Sequence, residues 1–144
     1  MKETILASFF RGELGAPDLA MDIAGSEERP AATRRNIFVE DMDGEFVVTR
    51  GMAAALCDAV LRREMEPDAF RLIGFALTTS DKFTWNDDDL LADILYDWSC
   101  PEIDFKLSIE NVCKFKSWLD GSSRLSRKKA AFERNAWNPH FRSV

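Results

Sequence analysis

Histidine is almost missing from this chain: of 144 residues only His140 is one, with four residues after it. A Ser-His-Asp or Cys-His mechanism has to take that residue as its base, and chain ends hold a base poorly within hydrogen-bond reach of a nucleophile. His140 therefore reads as a surface residue of a tail. No G-x-S-x-G, P-loop, G-x-G-x-x-G or H-E-x-x-H is present either, so the usual sequence supports for acyl transfer, phosphate binding, dinucleotide binding and zinc hydrolysis are lacking. The three cysteines, Cys57, Cys100 and Cys113, are odd in number and form no C-x-x-C pair. That pattern suggests neither a disulfide framework nor a zinc site, but small buried hydrophobes in a reducing compartment. No apolar run approaches the roughly eighteen residues a membrane span requires. The segment from Ile5 to Phe10, stopped by Arg11, is too short for the core of a signal peptide. The expectation is a cytoplasmic protein without a catalytic site or a cofactor.

What the chain does have is apolar content, 46% hydrophobic and 11% aromatic, enough for one globular domain with a real core and too much for a disordered chain. Its net charge of −6 is unevenly spread. Residues 122–144 carry Arg124, Arg127, Lys128, Lys129, Arg134 and Arg142 against Glu133 alone; removing that +5 leaves −11 on residues 1–121. The expected organisation is an acidic globular domain over 1–121 and a basic tail over 122–144 with Phe132, Trp137 and Phe141 interspersed, which can dock on the domain.

Hydrophobic periodicity predicts an α+β domain, mainly helical, with five or six helices and one small β-hairpin. Ile5, Leu6, Phe9 and Phe10 share a face of a first helix ended by Gly12 and Gly15, and Pro17 suits the first turn of a second with Leu19, Met21 and Ile23. Residues 25–36 read as an exposed loop. Two β-rich runs, 37–40 and 45–48, flank Asp43-Gly44, whose tolerance of positive φ suits a hairpin turn. A calcium loop in the same place fails, because its first and twelfth positions are Val39 and Arg50. Thr49 caps a helix with a stripe of Met52, Ala55, Leu56, Ala59 and Val60, and Arg62 and Arg63 fall in its last turn. Residues 69–77 read as a buried helix after Pro67-Asp68, with a buried strand as the alternative. Ser108 caps a last helix facing Ile109, Val112, Cys113, Phe115 and Leu119 inward, with Gly121 as its stop.

The most distinctive stretch is 82–107. Leu90, Leu91, Ile94, Leu95 and Trp98 fall within one arc of a helix over about 87–98, capped by Thr84 or Asn86 and ended by Pro101. Asp89, Asp93 and Asp97 recur every four residues on another face, where like charges repel by roughly 0.2–0.5 kcal/mol per pair. Asp97 also sits at the partially negative helix end. Folding alone does not select that arrangement. Ile103, Phe105 and Leu107 alternate in the connection that follows, as an extended segment along the core requires.

Together these features predict a non-enzymatic protein that binds and neutralises a basic protein partner through the acidic helix face. It resembles immunity proteins and inhibitors of nucleic-acid enzymes in size, charge and missing motifs. The partner-binding residues so predicted are Trp85, Asp87, Asp88, Asp89, Asp93, Tyr96, Asp97, Glu102 and Asp104, with Trp85 and Tyr96 as aromatic anchors. Two alternatives stand beside it: an accessory module that contacts nucleic acid through residues 122–144, and a metal-dependent enzyme in which the group from Asp87 to Asp93 holds magnesium.

Overall fold

The computed structural model describes residues 1–31 and 34–123, and of residues 27–37 the backbone alone. The chain begins with α1 (Glu3–Phe10) and α2 (Ala16–Ala24), the latter with Pro17 in its first turn. Pro tolerates that place because its missing N–H has no helical partner there. Next come β1 (Glu27–Ala31) and β2 (Arg34–Ile37), an antiparallel pair with a register shift between Glu28 and Ala31. Pro30, which has no N–H for a ladder, falls inside that irregularity. β3 (Phe46–Val47) then leads to α3 (Arg50–Leu61), where Thr49 Oγ1 accepts from the Met52 N–H at 3.2 Å. After α4 (Ala69–Thr79) comes β4 (Phe83–Thr84), which pairs in parallel with β3. α5 (Asp89–Ser99) and α6 (Ile109–Leu119) complete the order, and Gly121, at φ +78°, is the left-handed stop after α6.

The fold is thus α+β and mainly helical, with six helices among the described residues. The hairpin is not where Asp43-Gly44 places it. Phe46 and Val47 of the second run pair instead with β4, Glu40 bridges in parallel to Lys2, and the antiparallel pair lies, except for Ile37, in the stretch expected to be a loop. Residues 69–77 are helical, as favoured. Arg62 and Arg63 lie just beyond α3 rather than in its last turn, and Arg63 takes a positive φ.

One continuous cluster of buried side chains runs from Met1 to Leu119. At its centre Trp98 stacks on Phe70 at 4.2 Å between ring centroids, and Phe115 meets Trp98 edge-on at 6.1 Å. Phe105 reaches this cluster through Phe115 and Trp118. Its neighbour Ile103 is 57% exposed, so the connection turns through the surface instead of running extended along the core. On α6 Val112, Phe115 and Leu119 are buried as expected, but the inward face is shifted: Ile109 and Cys113 are exposed while Trp118 is buried. Gly74 lets α4 and α5 approach closely, because a Cβ there would lie 2.7 Å from Ser99 N and 2.9 Å from Leu95 O. At the other end, buried Glu3 accepts from the Met42 N–H through Oε1 at 3.0 Å and ties α1 to the segment before β3. No helix among the described residues is long and apolar enough to cross a membrane.

Candidate partner-binding face

Helical geometry decides which aspartates of α5 meet water. Side chains four apart advance about 400°, so Asp89, Asp93 and Asp97 do not stack in a straight row but drift about 40° per step around the helix. Leu91, Ile94, Leu95 and Trp98, all fully buried, occupy the side facing α4 and the core. Asp89 and Asp93 fall opposite them and are exposed. The drift carries Asp97 to the edge of the buried side, where it is 8% exposed. Tyr96, by the same count, lies about 20° from Asp89 on the outer face and is 57% exposed.

The loop before α5 separates the other acids. Asn86 and Asp87 take φ values of +48° and +59°, conformations that Asn and Asp tolerate better than other side chains. These two residues turn the chain so that Asp88, not Thr84 or Asn86, becomes the cap, its Oδ1 accepting from the Leu91 N–H at 3.2 Å. The same carboxylate accepts two hydrogen bonds from the Arg50 guanidinium, at 2.6 and 2.8 Å. The Arg50 bonds first, with the amides of the first helical turn, hold the Asp88 carboxyl below the usual carboxylate range, and the Arg50 guanidinium is raised in turn. Asp88 is therefore committed to holding α5 on α3.

The structure divides the predicted set accordingly. Asp87, Asp89, Asp93 and Tyr96 on and before α5, with Glu102 in the following turn, are exposed. Asp88 is neutralised by Arg50, Asp97 is buried, Asp104 is half-buried, and Trp85 packs partly against the core. Ile103, read from alternation as inward, adds a second exposed apolar side chain beside Glu102. Its signal was the Pro101 that turns the chain, a stronger local constraint than alternation over three positions.

Apart from the Arg50 guanidinium on Asp88, the charge contributed by this stretch is of one sign. Residues 83–105 hold seven carboxylates and no lysine or arginine. Among the described residues, Asp87, Asp89 and Glu102 make no ion pair. The clustered aspartates do not converge on a point, and no three His, Cys, Asp or Glu side chains among the described residues are grouped as cation ligands. The basic tail from residue 124 onward, with His140, Trp137 and Phe141, lies outside the described residues. No protein-family model matches this chain, and neither a curated protein nor a solved structure does.

Proposed function

We propose that this chain is a non-enzymatic binding protein that neutralises a basic protein partner through the outer face of α5 and the turn after it. The supporting observation is the combination on that face: Asp89, Asp93 and Tyr96 are all exposed on the outer side of α5, in a stretch, residues 83–105, that holds seven carboxylates and no lysine or arginine. Carboxylates at an interface steer a positively charged partner into encounter, while an aromatic side chain supplies contact area that resists dissociation. In the turn after α5, Ile103 and Glu102 are also exposed, again an apolar group next to an acidic one.

The test is capture from a lysate of the source organism with the wild-type chain and with the Asp89→Asn, Asp93→Asn variant, followed by association kinetics on the purified captured protein. The reading expects a basic protein whose association slows with salt and is slower still for the variant. Equal association rates with equal salt dependence would remove the face from the interaction.

A further inference from the structure

α2 and the start of α4 do not close fully on one another, and between them lies a groove of about 650 Å³. That volume is within the range of small-molecule sites. The space exists because Ala20 and Ala24, one turn apart on α2, face Ala69 at the start of α4 with side chains too short to fill it. Ile23, Met65 and Leu72 form its floor and keep a small exposed area, 5, 5 and 7%. Met21, 78% exposed on the same helix, extends the apolar surface beside Ala24 with a flexible side chain that adapts to a ligand.

The wall contributed by the chain before α4 is different. Glu66 and Asp68 line it, both exposed, and no lysine or arginine lines it among the described residues. Arg71 approaches Asp68 at 3.6 Å, whereas Glu66 makes no ion pair among the described residues. An apolar floor ending in carboxylates complements one kind of molecule. It repels an anion, gives a neutral apolar molecule no polar contact that water does not also give, and favours a cation with an apolar body.

We propose that this groove is a binding site for an amphiphilic amine, its apolar body on Ile23, Met65 and Leu72 and its ammonium donating to the carboxylates of Glu66 and Asp68. The site shares no residue with the α5 face and stands whether or not that face binds a protein.

The test is a titration of the full chain at pH 7, followed by backbone amide chemical shifts, with phenethylamine, 2-phenylethanol and 3-phenylpropanoate as probes of one shape and three charges. Saturable shifts are expected in α2 and residues 65–72, with the amine roughly two- to fivefold tighter than the alcohol, the value of one exposed ion pair, and the carboxylate weakest. Ala24→Leu fills the groove from an exposed helical position with little effect on helix propensity, so it keeps the fold and weakens all three probes. Glu66→Gln with Asp68→Asn makes amine and alcohol equal while the alcohol still binds. The proposal is overturned if no probe gives saturable shifts there, if the carboxylate binds as tightly as the amine, or if Ala24→Leu leaves binding unchanged.

Discussion

Arg50 and Asp88, 38 residues apart in the chain, share two hydrogen bonds, Nε to Oδ2 at 2.6 Å and Nη2 to Oδ1 at 2.8 Å. Since Asp88 also caps α5, one carboxylate fixes both the start of that helix and its attachment to α3. Removing the acceptor in Asp88→Ala should cost about 0.5–2 kcal/mol, the range for losing an N-cap. Asp88→Asn keeps a capping oxygen and should lose less. The sign with pH follows from the lowered folded-state value: the contribution is complete above the unfolded aspartate value of about 4 and is lost as pH falls through the folded value. Thermal melts between pH 7 and pH 3 should therefore show the wild type losing stability in acid more steeply than Asp88→Asn. Raising salt should shrink the Arg50 part of the difference, because that side chain is 48% exposed.

Gly74 gives the second prediction. Alanine normally stabilises a helix interior over glycine by about 1 kcal/mol. Here its Cβ would meet two backbone atoms, Ser99 N and Leu95 O, which cannot rotate out of the way, as well as Trp98 Cβ at 2.9 Å. The helices must separate, and the stacking of Trp98 on Phe70 loosens with them. Gly74→Ala should be destabilising by roughly 1–3 kcal/mol in urea unfolding, the range for overpacking. A more stable variant would mean that α4 and α5 do not approach as closely as described.

Leu95→Ala probes the same contact from the other side. Leu95 is fully buried among α4, α5 and the core, and its truncation should cost about 2–5 kcal/mol, lost burial plus the cavity left behind. A loss within about 0.5 kcal/mol would place the stripe of α5 away from the core.

The sequence was most legible where one residue type has one mechanical use. Thr49 and Ser108 cap the helices they were expected to cap, and Gly121 takes the positive φ that its place after Leu119 implied. The buried stripe of α5 was readable because five apolar positions in nine residues leave one possible inward side. Strand pairing was not readable. Asp43-Gly44 is a good local turn signal, but its two flanks go to partners distant in sequence, Lys2 for Glu40 and β4 for β3, and no local pattern records a two-residue parallel pair. The acidic face was half legible: spacing by four identifies neighbours on a helix, yet the 40° drift decided that Asp97 is inside while Asp89 is outside. Asp88's commitment to Arg50 could not be foreseen, since it depends on how α3 and α5 dock.

The cysteines separate by reactivity. Cys57 is buried on α3 and desolvation pushes its thiol far above the ordinary range, with Asp58 adding to the effect, whereas Cys113 is exposed on α6. Under native conditions a thiol reagent should label Cys113 rapidly and leave Cys57 unmodified until the protein is unfolded; half-buried Cys100 should be slower than Cys113. Cys113→Ser should keep stability within about 0.5 kcal/mol, and Cys57→Ser should cost about 1–3 kcal/mol for placing a hydroxyl in an apolar site. Rapid native labelling of Cys57 would show that α3 and α6 open far more readily than their packing implies.

The acidic face makes the last prediction, because its three aspartates should respond differently. Asp89 and Asp93 are exposed on one side of α5, so replacing both with Asn relieves roughly 0.2–0.5 kcal/mol of repulsion. The change also removes a favourable charge from the first helical turn, about 0.3–1 kcal/mol. The two effects nearly cancel, and stability should stay within about 0.5 kcal/mol of wild type. Asp97, at 8% exposure, persists there through interactions that replace its lost hydration, and Asp97→Ala should cost about 1–3 kcal/mol. On a captured basic partner the double variant should act mainly through slower association. Tyr96→Ala removes contact area rather than charge, so it should act mainly through dissociation, faster by about tenfold if the ring contributes the roughly 1.4 kcal/mol of a moderate anchor. If Tyr96→Ala changes neither rate while the double variant slows association, the carboxylates steer a partner that docks elsewhere, and the face is a guide rather than the binding surface.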